Sequence, residues 1–346
     1  MAALLATDST EPTDLRGALV GGLINESVMQ TITDISKIPL PLTNMIGTGS
    51  HGNNYHSWTL DELAAPSITN AQIDGRVSTD NDAALGTRVG NFSQISTKDI
   101  EVSTRSDASD TIGFAKATSY QTKMRNEELH RDVEAQILSN TASLQGSAAA
   151  ASTSGGLNAW LETNNVSPAV GYTAGGFNTA TGVVDAMVPG TAEPLTETKV
   201  RTCAQNIYEE GGEASVFMSM PTVHAAFSSY LFTSSARVAT LTSETGESKT
   251  ASVAKGAVNC FVTDWGVLDM IPNRLLQPTD TDVSTAFLID PSKLEISYLS
   301  GYRSERLAKV GLSESWLMSV DYTLVVNSEK AHGCIPAIDN TADVTA

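Results

Sequence analysis

Between Trp316 and Val326 every even-numbered residue is apolar (Trp316, Met318, Val320, Tyr322, Leu324, Val326), while Ser319, Asp321, Thr323 and then Asn327 fall between and after them. Side chains alternate across a strand, so this period of two predicts a long strand with one face on a core and the other toward water. Strand-patterned segments surround it in the order AFLIDPSKLEI, RLAKVG, SWLMSVDYTLVVN and EKAHGCI. No catalytic constellation accompanies them.

The rest of the chain reads as a succession of unlike parts. Residues 1–50 mix short apolar runs with Pro39, Pro41, Gly47 and Gly49. Proline lacks a donor and clashes with a preceding turn, so IPLPLTNMIG predicts an arm rather than a core element. Two extended segments follow between about Ser50 and Val102, joined by the polar NAQIDGRVSTDNDAALG; an isolated ribbon of this kind has little to bury and is expected to need neighbouring chains for its order. FAKATSYQTKMRNEELHRDVEAQILS, residues 114–139, is the clearest helix. Tyr120 and Met124, then Leu129, Val133 and Ile137, are spaced by four, and Lys123, Glu127 and Arg131 alternate in sign on another face. At about 1.5 Å per residue that helix would run on the order of 40 Å. SLQGSAAAASTSGG then reads as a flexible connection.

A second helix is predicted from Thr196 through Ile207, with Leu195 and Val200 as a hydrophobic staple and a stop at Gly211 and Gly212. SVFMSM reads as a strand, Pro221 opens a further helix, and AVNCFVTDWGVLDMI reads as two strand-like runs meeting at Asp264-Trp265-Gly266. The alternation predicts a mixed α/β subdomain.

Composition narrows the function. The 346 residues suffice for one large or two intimately joined domains, and no stretch approaches the roughly 18 apolar residues of a spanning helix, with mean hydropathy at -0.08. The N-terminus lacks a basic leader, which predicts a protein made inside the cell. Charged residues are only 17%, leaving a surface rich in Ser, Thr, Asn and Gly, as suits a chain that buries polar contacts against copies of itself or a secreted β-protein. The net charge of -18 opposes non-specific binding to nucleic acid, which rests on Lys and Arg displacing counterions from phosphates. Acidic chains are common, and such a charge also serves plain solubility.

Local motifs add no chemistry. Cys203, Cys260 and Cys334 are far apart with no CxxC spacing, and His51, His56, His130, His224 and His332 form no HxH or HExxH pattern, so neither disulfides nor a metal site are expected. Gly47 to Gly52 satisfies GxGxxG, but turn residues precede it and NNYHSW is a poor helix start, so a bend or hinge is expected rather than a dinucleotide site. Asp280 and Asp282 lack the glycine and glutamate of a calcium loop and read as a solvated turn. Ser50 and His51 are neighbours in an extended segment and point to opposite faces, which makes them a poor catalytic pair. No cofactor and no enzymatic activity are expected.

The order of parts, together with RVGNFSQIS (88–96), NEELHRDVEAQIL (126–138), VTDWGVLDMIPNRLL (262–276), LIDPSKLEI (288–296), LAKVGLSES (307–315) and YTLVVNSEKAHGCI (322–335), resembles the major capsid (major head) proteins of tailed bacteriophages. The resemblance implies an α+β fold of the Hong Kong 97 type: an N-terminal arm (1–50), an extended E-loop (51–105), a peripheral (P) domain with a spine helix (106–195), an axial (A) domain (196–282), and C-terminal strands returning to the P domain (283–346). Unlike in the type member, a long N-terminal scaffolding extension before the arm is not expected from this reading, which leaves a separate scaffold open, and no lysine and asparagine match the type member's cross-link.

The resemblance further implies self-assembly as hexamers and pentamers into an icosahedral shell around double-stranded DNA. The partners it implies are copies of the chain, a portal protein, scaffold and decoration proteins, and DNA enclosed without sequence-specific binding. The protein would be made in the host bacterial cytoplasm and reside in the virion. Trp58 would be either an anchor within the subunit or, as its place on the E-loop favours, a side chain inserted into a neighbour. Arg303 and Arg306 carry the planar donors that suit a carboxylate on a neighbouring copy, or an ordinary surface role. An encapsulin-like cargo compartment of the same fold and a Ser/Thr-rich surface or adhesive β-protein are the alternatives.

Overall fold

A computed structural model describes residues 39–77, 86–109, 113–168, 170–231, 259–278, 282–309 and 311–342. The predicted long strand is β14 (Ser313–Val326), antiparallel to both β13 (Leu294–Arg306) and β4 (Gln94–Ser103). A fourth strand, β1 (Gly47–Ser50), lies parallel to β13, giving the order β1-β13-β14-β4. The GxGxxG segment is therefore largely an edge strand rather than a hinge; its pairing partner lies some 250 positions away in sequence, where local reading does not reach.

The long helix, α1 (Ala117–Ile137), lies on this sheet and buries Leu129, Val133 and Ile137, the four-spaced series. Its 21 residues amount to about 30 Å, shorter than residues 114–139 would give. Lys116 at its N-cap supplies no side-chain acceptor, and Phe114 instead stacks on Tyr120 with centroids 5.1 Å apart. With only one face of the sheet covered by the helix, β14 should be wet on the other, yet from Tyr322 to Val326 it is buried on both. The segment expected to be a flexible linker is the reason. Residues 143–156 fold back through the Leu144–Thr153 bridge, and Ser143 and Ser154 are buried. There the Thr323 hydroxyl donates to the Phe92 carbonyl (3.1 Å) and lies 3.3 Å from the Ser154 hydroxyl, so polar groups bury without losing their partners.

The C-terminal part of the arm is also core. Leu42 and Ile46 are buried, and the turn they occupy is held by Glu134 of α1, itself fully buried. The Glu134 carboxylate accepts from the Leu42 N–H (2.9 Å), the Thr43 N–H (2.9 Å) and Asn273 Nδ2 (2.8 Å), joining three segments remote in sequence. Residues 1–38 of the expected arm lie outside the described residues, as do Asp280 and the Ser/Thr-rich stretch 232–258.

A second sheet forms from β9 (Val216–Ser219), β10 (Cys260–Thr263), β11 (Gly266–Pro272), β12 (Val283–Ile289) and β15 (Gly333–Asp339), in the order β10-β11-β9-β12-β15. Here β9 and β11 run parallel across the connection that begins with α3 (Pro221–Leu231); the helix before β9, α2 (Glu197–Glu209), packs on β15. Thr196 caps α2 by accepting from the Lys199 N–H at 3.1 Å, Leu195 and Val200 are both buried, and Gly211 leaves the helix at φ 86°, a region open to glycine. Alternation in β9, β12 and β15 divides the interior. Val216, Met218, Phe287, Ile289 and Cys334 face the core under α1, while Phe217, Ala286, Leu288, Ile335 and Ile338 face a second core made with α2 and α3. A run such as β12, apolar on both sides, is what a strand covered on two faces requires. Two short ribbons, β5 (Tyr172–Thr173) with β8 (Val188–Pro189) and β6 (Gly176–Asn178) with β7 (Val183–Asp185), complete the described strands beside a base hairpin treated below.

His332, between β14 and β15, is fully buried and its Nδ1 accepts the Asp290 N–H at 3.2 Å, which places its proton on Nε2. Burial pushes its pKa down to about 4, against a weaker upward pull from Asp290. The unfolded chain binds a proton here near pH 6.5 and the folded chain does not until about pH 4, so stability must fall as pH drops through that window. Stability from urea unfolding measured from pH 7 to pH 4 should decline, by about 3 kcal/mol from this residue, and His332→Gln should flatten that part of the profile. An unchanged slope in the variant would rule out His332 as its source.

Candidate assembly surfaces

The extended loop grows from a hairpin of β2 (Tyr55–Leu60) and β3 (Thr87–Phe92). Its base is built into the subunit. Asn91, fully buried, directs Nδ2 toward the Leu324 carbonyl (3.0 Å), the Gly155 carbonyl (3.1 Å) and Ser154 Oγ (3.1 Å), and its Oδ1 accepts the Gly155 N–H (2.8 Å). Gly90 leaves room for the Tyr55 ring, which a Cβ would meet at 2.5 Å, and the Tyr55 hydroxyl donates to the Gly182 carbonyl (3.0 Å). His51 bridges Ser297 Oγ (3.0 Å) and Ser93 Oγ (2.8 Å); burial, and to a smaller degree the nearby His56, lower its pKa.

Trp58 belongs to this base. Its ring lies 5.4 Å from Trp160, and its Nε1–H donates to the Val326 carbonyl at 3.0 Å. These are contacts within the subunit, so at an interface Trp58 would act as the anchor of a projecting loop rather than as the inserted side chain. Beyond Leu60, residues 61–77 are exposed throughout, including Leu63 (94%), Ile68 (100%), Ile73 (82%) and Val77 (86%). Single exposed apolar residues are ordinary; four within one exposed segment make it a candidate contact surface.

The far end of the β13–β14 hairpin is a second projection. Arg303 Nε donates to Ser319 Oγ (3.1 Å) and lies 3.6 Å from Glu305, while Arg306 pairs with Glu314 at 2.6 Å. Both guanidiniums stay more than half exposed. Burial raises the Asp321 carboxyl and Arg303 draws it back down, which places a compensating positive charge on this face. Exposed Leu307 and Leu312 flank the arginines. Between the hairpin and α1 runs an open groove lined by Lys123, Tyr302, Arg303, Trp316 and Met318 among others. The sequence marked both segments as candidate contacts through Trp58, Arg303 and Arg306, but not through the exposed Leu63, Ile68, Ile73, Val77, Leu307 and Leu312, because an exposed leucine is written no differently from a buried one.

Among the described residues no group of three His, Cys, Asp or Glu side chains converges to hold a metal, and no helix is long and apolar enough to cross a membrane. A long hairpin sheet under a spine helix, a second sheet shared between two cores and an extended loop anchored at its base make up the Hong Kong 97-type fold of phage capsid subunits. Solved structures agree: the chain is similar to the encapsulin of Synechococcus elongatus PCC 7942 (13% identity, TM-score 0.55, covering 93% of this chain and 95% of that one). It is also similar to the capsid of an empty GTA particle computed with C5 symmetry (11% identity, TM-score 0.59, covering 91% and 96%).

The chain belongs to the SU10 major capsid protein family, whose model matches residues 7–340. A curated relative, the major capsid protein of Escherichia phage Phieco32, is 28% identical over 111 residues, a match that spans 32% of each chain. The resemblance read from residues 88–96 through 322–335 is borne out, and the adhesive reading falls with it.

Proposed function

We propose that this chain is the shell-forming subunit of a tailed-phage virion, assembling as hexamers and pentamers into an icosahedral container for double-stranded DNA. The observation that carries the reading is the pair of outward features on a well-packed body: an anchored loop with four exposed apolar side chains, and a hairpin tip with two half-exposed arginines. The loop lies over a neighbouring copy, and Arg303 and Arg306 meet carboxylates of another. In domain terms, we read the first core with α1 as the P domain, the second sheet with α2 and α3 as the A domain, and residues 51–105 as the E-loop; of the C-terminal strands 283–346 expected to return to the P domain, β13 and β14 lie in the first sheet, whereas β12 and β15 lie in the second. The function is structural, with portal, scaffold and decoration proteins as partners at the shell and no reaction catalysed.

Individually modest contacts become stable together when each subunit makes several of them. The charge of -18 on each copy opposes closure, and salt screens exposed charges beyond about 8 Å at physiological strength. Purified subunit should therefore form closed particles, or rings of five and six, in negative-stain electron microscopy, with a yield that rises from low to moderate salt; addition of scaffold covers a scaffold-dependent pathway. Monomer under both conditions would overturn the proposal. A cargo compartment is the second reading, supported by the likeness to an encapsulin. Particles isolated with protein rather than nucleic acid inside would favour it.

A further inference from the structure

Residues 61–77 leave the body of the subunit with every described side chain exposed, yet the loop has a tether. Lys330 Nζ lies 3.1 and 2.9 Å from the two carboxylate oxygens of Glu62, and 2.9 Å from Glu210. The other polar contacts of residues 61–77 among those described are local: Glu62 N–H to Asp61, Ser67 with Thr69, and Arg76 to Gln72 and to the Ile73 carbonyl.

Lys330 is itself fixed. It sits in a 3-10 turn, Glu329–Ala331, between β14 and β15; its carbonyl accepts from Asn164 Nδ2 (2.7 Å), and Ala331 packs closely against Gly212 just past α2. The neighbouring Glu329 carboxylate caps the Glu162 N–H (2.7 Å) and the Thr163 N–H (2.8 Å). Glu210 is the C-cap of α2. One ammonium thus joins the root of the projecting loop to the turn leading into the last strand and to the end of a helix of the second core.

We propose that Lys330 is an electrostatic latch that sets the direction of loop 61–77 in the free subunit and opens without leaving a charge unpaired. An ammonium has three donors, and two carboxylates share them here. When the loop departs, Lys330 keeps Glu210, while Glu62 passes into water; its side chain is already 70% exposed. An exposed pair of this kind is weak and screened by salt, which suits a contact that must yield when the loop takes up another position. The latch is a property of the single subunit and stands apart from the shell reading.

Spin-label distances on the dissociated full-length subunit test it, with nitroxides at Ala64→Cys beside the tether and Asn126→Cys on α1 and the exposed Cys260 changed to serine. At low salt the parent should give one narrow distance distribution, and Glu62→Gln and Lys330→Met a distribution several-fold broader. In the parent, raising salt should broaden the distribution; in Glu62→Gln salt should have no further effect. Glu210→Gln should leave the distribution as narrow as in the parent. Equal widths in parent and Glu62→Gln at low salt would overturn the latch. Because no particle needs to form, failure here is distinct from failure of shell assembly.

Discussion

Glu134→Ala is expected to destabilise the dissociated subunit by about 3–5 kcal/mol, the largest effect of any single polar substitution in the described structure. The carboxylate is fully buried, and its three bonds come from neutral donors, two backbone N–H groups of the Leu42–Thr43 turn and the Asn273 amide. Truncation leaves all three without an acceptor in a site closed to water, at roughly 1–3 kcal/mol each before relaxation. Glu134→Gln keeps one carbonyl oxygen but turns an acceptor into a donor facing donors, so it should recover little. Asp132→Ala is the control: Asp132 is two residues earlier on the same helix and on another face, half exposed and paired with Lys98 at 2.7 Å, and should cost less than about 1 kcal/mol. Urea midpoints decide the matter, and a cost for Glu134→Ala no greater than for Asp132→Ala would show that the turn and the Asn273 loop do not depend on it.

The second large effect is on assembly. Changing Leu63, Ile68, Ile73 and Val77 together to serine should abolish closed particles while leaving the urea midpoint of the free subunit where it was. Each of these side chains would contribute about 1.5 kcal/mol or more if fully covered, so the four are worth on the order of 6 kcal/mol per subunit. Part of that is offset by the ordering that association requires. Particles at parental yield would remove the loop from the interface. A lowered midpoint would instead mean that the four side chains pack within their own subunit.

Much of this fold was written locally. The four-residue spacing of Leu129, Val133 and Ile137 identifies α1, the alternation from Trp316 to Val326 identifies β14, and Thr196 with Gly211 brackets α2, because each signal depends on residues within a turn or two of each other. What stayed hidden depends on partners far away in sequence. The proline-bearing turn at Leu42 becomes core only because a carboxylate 92 positions on accepts its N–H groups. Residues 143–156 look like a linker until Asn91 is seen holding Ser154 and Gly155. Glu134 reads as one more charge on a charged helix; its position beside Val133 and one turn before Leu138, inside the apolar stripe, was the available signal. The interface residues were legible as candidates by type, but their standing in an assembled particle lies beyond a single chain.

The division of β9, β12 and β15 between two cores bears on how the subunit comes apart. Each strand gives alternate side chains to either side, so loss of one core strips cover from the backs of residues that the other still needs. Partial melting on either side is thereby penalised on both, which couples the stability of one core to that of the other. A subunit with one core open and the other closed is thereby disfavoured, so the surfaces presented by the two halves are kept or lost together.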